Sequence, residues 1–161
     1  MAMLPILTLP DPRLRQICAY VAGDTRILAD DMLETMYDAR GRGLAAPQVG
    51  EMIRVFVMDV SWKDGTPDPM VFLNPEIVAR SDDMVTRSEG CLSIPGVLAA
   101  VARPAQITVS WMDLEGVRWA QAFDGFAAAC IQHEIDHLDG VLTFDRVDPA
   151  QRAKLEAEYD G

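Results

Sequence analysis

Positive charge is scarce in this sequence. Lys and Arg number 14 against 25 Asp and Glu, a formal charge of −11, and phosphate backbones are gripped by clustered cations that this composition does not offer. A nucleic-acid partner does not suit it. Long apolar runs are missing too: Pro5, Pro10 and Asp11 break up the opening. Neither a signal peptide nor a bilayer-length span is expected, no membrane partner follows, and the expected compartment is the cytoplasm. Cysteine is limited to Cys18, Cys91 and Cys130, an odd number without framework spacing, which reads as reduced thiols with at least one free for a metal. Repeats, low-complexity tracts and dividing linkers are absent, so residues 1–161 are expected to fold as one domain with a sizeable core. Histidine is scarce as well, with two in 161 residues.

Both histidines fall in Gln132-His133-Glu134-Ile135-Asp136-His137. On a helix, a spacing of four puts the two imidazoles one turn apart on one face, within reach of a single cation. Glu134 then stands where it can handle the protons of a water activated by that cation. The plain alternative is a helix with two solvated or hydrogen-bonded histidines, and the placing of every histidine of the chain at this spacing argues against it. Three protein ligands with an open position make a catalytic site, and four make a structural one. Cys91, flanked by Gly90 and followed by the turn residues Pro95-Gly96, qualifies as a third ligand. Glu156 and Glu158, downstream where a His-Glu-x-x-His protease carries its third ligand, are the alternatives. Cys18 and Cys130 read as small packed hydrophobes. The chemistry such a set supports is hydrolysis of an amide or a related acyl bond.

The rest of the chain reads as α+β: antiparallel strands packed around the central metal-binding helix, with a second helix from the N-terminal third and a short C-terminal one. Pro10-Asp11-Pro12 forces a turn, with Leu14 a packing contact. Asp24-Thr25 caps a helix running to about Arg40, with Leu28, Met32, Met36 and Ala39 at helical spacing. Gly41 to Gly50 reads as a glycine-rich loop whose small residues let the backbone lie close to something else. Ile53 to Val60 is a buried strand. Met70–Leu73 and Glu76–Arg80 are strand pieces around Asn74-Pro75, and Ser81-Asp82-Asp83 is a turn. Ile107, Val109 and Trp111 alternate with polar neighbours and form a hairpin with Val117, Trp119 and Phe123 about Asp113–Gly116. Asp124 caps the motif helix and Gly140 ends it. Val141 to Phe144 looks strand-like, and Asp148-Pro149 opens the last helix.

Three stretches in this order resemble peptide deformylase: Gly43-Leu44-Ala45-Ala46-Pro47-Gln48-Val49-Gly50, Glu89-Gly90-Cys91-Leu92-Ser93, and Gln132-His133-Glu134-Ile135-Asp136-His137-Leu138. Pro10-Asp11-Pro12-Arg13-Leu14-Arg15 also matches, the resemblance spans essentially the whole chain as a single catalytic domain, and the absence of large insertions is similar to the type I form of bacteria and organelles. The resemblance implies metal ligation by Cys91, His133 and His137, with water in the fourth position. It implies Glu134 as general acid/base, and the Gln48 side-chain amide with the Leu92 backbone N–H facing the developing oxyanion. It implies a substrate site drawn from Gly43, Leu44, Gly90, Leu98, Phe126, Ala129 and Cys130. The cofactor implied is one divalent metal, Fe2+ in the first place, with Zn2+, Ni2+ or Co2+ accepted. The partners implied are N-formylmethionyl peptides and, transiently, the ribosome, although the short C-terminal segment with Glu156, Glu158 and Asp160 is acidic where some members carry a basic tail. Leu98 stands where many members carry an arginine, and Ala129 where some carry a larger aliphatic residue. Those two departures keep open a deformylase-like metal amidohydrolase acting on a different N-acyl group. A non-catalytic metal-binding module is the other competing reading, and Glu134 and Gln48 speak against it.

Overall fold

In the computed structural model, which describes residues 2–160, the layering is decided by four residues, Val55-Phe56-Val57-Met58. Successive strand side chains point to opposite faces, and here both faces are buried. Phe56 and Met58 join a cluster with Ile131, Ile135 and Leu138, whereas Val55 and Val57 join another with Met32 and Met36. A strand covered on both sides reads as an unbroken apolar run, as this one does.

Helix α1 (Arg26–Asp38) and helix α2 (Gly125–Leu138) provide those two covers. Between them lies an antiparallel sheet of β1 (Gly43–Ala45), β2 (Val55–Met58), β3 (Met70–Arg80), β6 (Ile107–Met112) and β7 (Arg118–Phe123), in the order β1-β2-β3-β6-β7. Phe56 stacks on Phe72 with ring centroids 4.4 Å apart, and Phe72 meets Trp111 at 4.7 Å, so the α2 face of the sheet is filled by aromatics. A separate two-stranded ribbon, β4 (Met84–Cys91) with β5 (Ile94–Pro104), leaves the sheet after the turn at residues 81–83. Ile94, Ala99 and Val101 of this ribbon pack against Phe144 and against Leu155 of α3 (Pro149–Asp160). The architecture is the α+β arrangement expected, with α2 at its centre. Among the described residues no helix is long and apolar enough to cross a membrane.

Several local expectations are corrected. The loop read at 41–50 contains β1, paired to β2, and a 3-10 turn over Ala46–Val49. The two pieces read about Asn74-Pro75 are one strand with a register shift, and Asn74 takes a positive φ of 49° that its side chain supports by bonding Val21 N–H and C=O. Val141 to Phe144 is not a strand but leads into a 3-10 turn, Thr143–Arg146, because the Asp145 carboxylate caps Leu142 N–H. The ribbon β4–β5 was not foreseen. On β7, Val117 precedes the strand and Trp119 is 51 % exposed, because β7 is a sheet edge; only Phe123 of the expected apolar set is buried.

Candidate metal centre

Helix α2 delivers the histidine pair. Every side chain from Ala128 to Leu138 is buried, so the helix passes through the interior and its two imidazoles are fixed by packing. The β4–β5 ribbon delivers Cys91, the last residue of β4. Cys91 Sγ lies 3.4 Å from His137 Nε2, which lies 3.2 Å from His133 Nε2, and all three atoms are within 4.8 Å of one another. Tetrahedral ligands with bonds of about 2.0–2.3 Å sit roughly 3.3–3.7 Å apart. The Cys91–His137 and His133–His137 pairs are therefore already close to the separations of a coordination set.

The surroundings prepare these donors. His133 Nδ1 is 3.0 Å from Glu89 Oε1; since a carboxylate only accepts, Nδ1 carries the proton and Nε2 turns its lone pair to the centre. Glu89 is itself held by Arg103, with Nε to Oε2 at 2.6 Å and Nη2 to Oε1 at 2.9 Å. Arg103 Nη1 also reaches Asp136 at 2.9 Å, and Arg146 closes the chain of charges on Asp136 at 2.6 Å. Burial opposes the Glu89 carboxylate, but the bonds from Arg103 and His133 outweigh it and lower its pKa. Burial, ahead of nearby positive charge, holds the His137 pKa well below its usual value, so that it is a neutral imidazole.

Glu134 follows His133 and is also buried. Its Oε1 has no hydrogen-bond partner, and burial pushes its carboxyl up to about 7. Gly43 of β1 lies directly over it: a Cβ there would stand 2.6 Å from Glu134 Oε2 and 2.8 Å from Cys130 Sγ. This close approach is what the small residues of that segment permit. Gln48 is fixed next to the centre. Ala45 N–H donates to its Oε1 at 2.9 Å, which settles the amide orientation, and Nε2 donates to Ser93 Oγ at 3.0 Å and points to Cys91 Sγ at 3.8 Å.

These groups open on a cavity of about 910 Å3. Its wall includes Gly43, Gln48, Gly90, Cys91, Leu92, Leu98, Phe126, Ala129, Cys130, His133 and Glu134. Leu44 is placed elsewhere: it is fully buried on the opposite face of β1, among the residues that pack on α1. Glu156 and Glu158, on the exposed side of α3, are not part of the donor cluster. All three cysteines are free thiols, with Cys18 and Cys130 buried.

The family model described as polypeptide deformylase matches residues 3–153. The chain belongs to the polypeptide deformylase family. A peptide deformylase of Alkalilimnicola ehrlichii is 50 % identical over 163 residues, covering 99 % of this chain and 90 % of that protein. The crystal structure of a peptide deformylase from Legionella pneumophila is 40 % identical with a TM-score of 0.92, covering 98 % and 94 % of the two chains. One from Synechococcus elongatus, solved in complex with actinonin, gives the same identity and TM-score over 98 % of this chain and 88 % of that one.

The sequence reading of this deformylase passed over Glu89, Arg103 and Asp136. A signal was available for the first two. Glu89 stands two residues before Cys91, the spacing that puts strand side chains on one face. Arg103 continues the buried positions 97, 99 and 101 of β5, and a buried guanidinium demands carboxylate partners.

Proposed function

We propose that this chain hydrolyses the formyl group from the N-terminal methionine of nascent polypeptides, releasing formate, with Cys91, His133 and His137 holding a divalent metal. The observation that carries this reading is the convergence of the Cys91 sulfur and two imidazoles within 4.8 Å of one another, beside a buried carboxylate with an unpartnered oxygen, in a cavity open to solvent. The donor set fits a first-row divalent ion, and ferrous iron is the proposed occupant, with zinc, nickel and cobalt as competitors for the same ligands. When bound, such an ion supplies Lewis acidity, which makes water nucleophilic near neutral pH.

The protein's own groups then divide the remaining work. Water gives its oxygen to the formyl carbon, and the C–N bond breaks. Glu134 accepts the water proton and passes it to the departing amine nitrogen, a task suited to a carboxyl whose burial raises its pKa toward neutrality. The Gln48 amide and the Leu92 N–H are the donors for negative charge developing on the formyl oxygen. Gly43 leaves the Glu134 carboxylate uncovered. Residues 1–161 are proposed to act as one catalytic domain, in the cytoplasm where nascent chains emerge. Helix α3 exposes Glu156, Glu158 and Asp160, a poor surface for ribosomal phosphate. The relative solved with actinonin makes that inhibitor an expected ligand of this cavity.

The test is formate release from a formyl-Met tripeptide by protein loaded anaerobically with ferrous iron, beside Glu134→Ala. Rapid release abolished by the substitution is expected. Equal or faster turnover of formyl peptides that do not begin with methionine would instead favour a different N-acyl substrate.

A further inference from the structure

Of the 14 cations in this acidic chain, eight have a carboxylate within 4.0 Å. Six have none among the described residues: Arg40, Arg42, Lys63, Arg80, Arg87 and Lys154. Four of those six, Arg40, Arg42, Lys63 and Arg87, line the cavity onto which Cys91, His133 and Glu134 open. Among the described residues, the carboxylates on its wall are Glu89, engaged by Arg103 and His133, and Glu134. Unpaired positive charge is thus concentrated at one place on a molecule of net charge −11.

Local structure holds these cations at the rim. Arg40 and Lys63 both approach the ring of Trp62, at 5.7 Å each, and Trp62 is anchored by its Nε1–H donating to Gly41 O at 2.9 Å. Arg42 lies over Phe126 at 5.2 Å, and its Nε is buried without a hydrogen-bond partner. Burial and the Arg42 and Arg40 charges lower the Lys63 pKa, which shows the three positive fields overlapping. Arg87 comes from a different element, the β4 strand of the ribbon. Like charges gathered without counter-ions repel one another, and an arriving anion relieves that repulsion.

We propose that this rim selects peptide substrates carrying aspartate or glutamate shortly after the formylated methionine. The proposal rests on the reading of the cavity as the substrate site. Arg42 adjoins Gly43 beside Glu134, and Arg87 lies four residues along β4 from Cys91, roughly 13 Å at about 3.3 Å per strand residue. The rim therefore spans about the second to fourth residues of an extended peptide. A peptide is favoured over a nucleic acid because the cations line the wall of the reaction cavity, where the substrate itself must pass.

The experiment compares formyl-Met-Asp-Asp-Ala, formyl-Met-Asn-Asn-Ala and formyl-Met-Lys-Lys-Ala as substrates of the metal-loaded protein at low and high salt. Calorimetric titration with the three deformylated peptides runs alongside. The diacid should exceed the diamide in kcat/KM by about two- to fivefold per carboxylate, mostly through KM, with the dilysine peptide poorest. Raised salt should narrow the range. Lys63→Gln combined with Arg87→Gln should erase much of the preference, and Arg80→Gln, outside the cavity, should keep it. Formate release with equal kcat/KM and equal affinity across the peptides overturns the selectivity and leaves deformylation standing. No formate from any peptide, with the acidic one still bound more tightly, upholds the charge selectivity and sinks deformylation.

Discussion

Replacing Gly43 by alanine should impair turnover while leaving the metal in place. The substitution adds one methyl carbon at 2.6 Å from Glu134 Oε2 and 2.8 Å from Cys130 Sγ. An ordinary contact is 3.4 Å or more, so the carboxylate must retreat by about 0.8 Å. Cys130 and Glu134 are one turn apart on the same face of α2, so both obstacles are carried by one rigid element. Gly43 does not have a positive φ, and alanine meets no backbone penalty; the whole effect comes from the clash. Overpacking at such a site costs about 1–3 kcal/mol of stability. Displacing a proton-transfer group by nearly 1 Å costs on the order of 100-fold in kcat. The methyl meets no ligand atom, so metal content should not change. The assay is formate release by ferrous-loaded protein, with metal per chain measured on the same sample. Gly41→Ala is the control: its Cβ would meet Leu92 Cδ1 at 2.8 Å, the tip of a side chain that can rotate away, and it should lose less than about fivefold. An unchanged kcat in Gly43→Ala, or a loss explained by missing metal, would refute the reasoning.

Cys91→Ser should lower bound metal by at least about tenfold, since a neutral hydroxyl replaces a thiolate; full metal occupancy in the variant would remove Cys91 from the ligand set. Arg103→Met should destabilise by about 3–5 kcal/mol in urea unfolding, because Glu89 and Asp136 lose their shared buried cation. It should also weaken metal affinity about 10–100-fold through the freed His133 ring, and a change under about 1 kcal/mol would show the network to be idle. Asp145 is a pH probe away from the centre. Burial works against its carboxylate, but the Leu142 N–H and the Arg15 and Arg152 guanidinium groups outweigh it and lower its pKa. A lowered folded pKa gives stability that is fully present above the unfolded value near 3.9 and is lost as pH falls through the folded one. Asp145→Asn should therefore cost about 1–2 kcal/mol at neutral pH, with the two unfolding midpoints converging in acid; a constant difference down to about pH 2 would contradict the assignment.

The helices and the β6–β7 hairpin were legible because their periodicities are strong. Met32 and Met36 repeat at helical spacing, Ile107, Val109 and Trp111 alternate, and Asp124 and Gly140 bracket the motif helix. The β4–β5 ribbon was not, and the reason lies in its residues. Met84 to Cys91 has no apolar side for a pattern to mark, since most of β4 faces solvent. Its strand character comes from pairing with β5, a partner remote from local sequence. In β5 the buried positions are filled by Ala99 and Arg103 as well as by Val97 and Val101, which blurs the alternation. The ligand candidates could be picked from their chemistry, but the Glu89–Arg103–Asp136–Arg146 chain of charges links four elements, β4, β5, α2 and the 3-10 turn after it, and only the fold assembles it. Leu44 shows the converse. It shares a motif with Gly43, and period two sends its side chain to the other face.

Asp59, just after β2, is fully buried and gathers the Tyr37 hydroxyl at 2.6 Å and the N–H groups of Ser61 and Asp68 at 3.3 and 3.1 Å. The segment 61–68 is thereby cinched at its neck, like a lariat whose knot is one carboxylate. Within the noose, Trp62 is tied outward to the Gly41 carbonyl and packs edge-on against the Tyr37 ring of α1, 5.3 Å away. Lys63 sits in that noose. A lineage, or an engineer, can therefore exchange that one residue and redraw the charge offered to incoming peptides, while Trp62 and the groups that break the bond stay where they are.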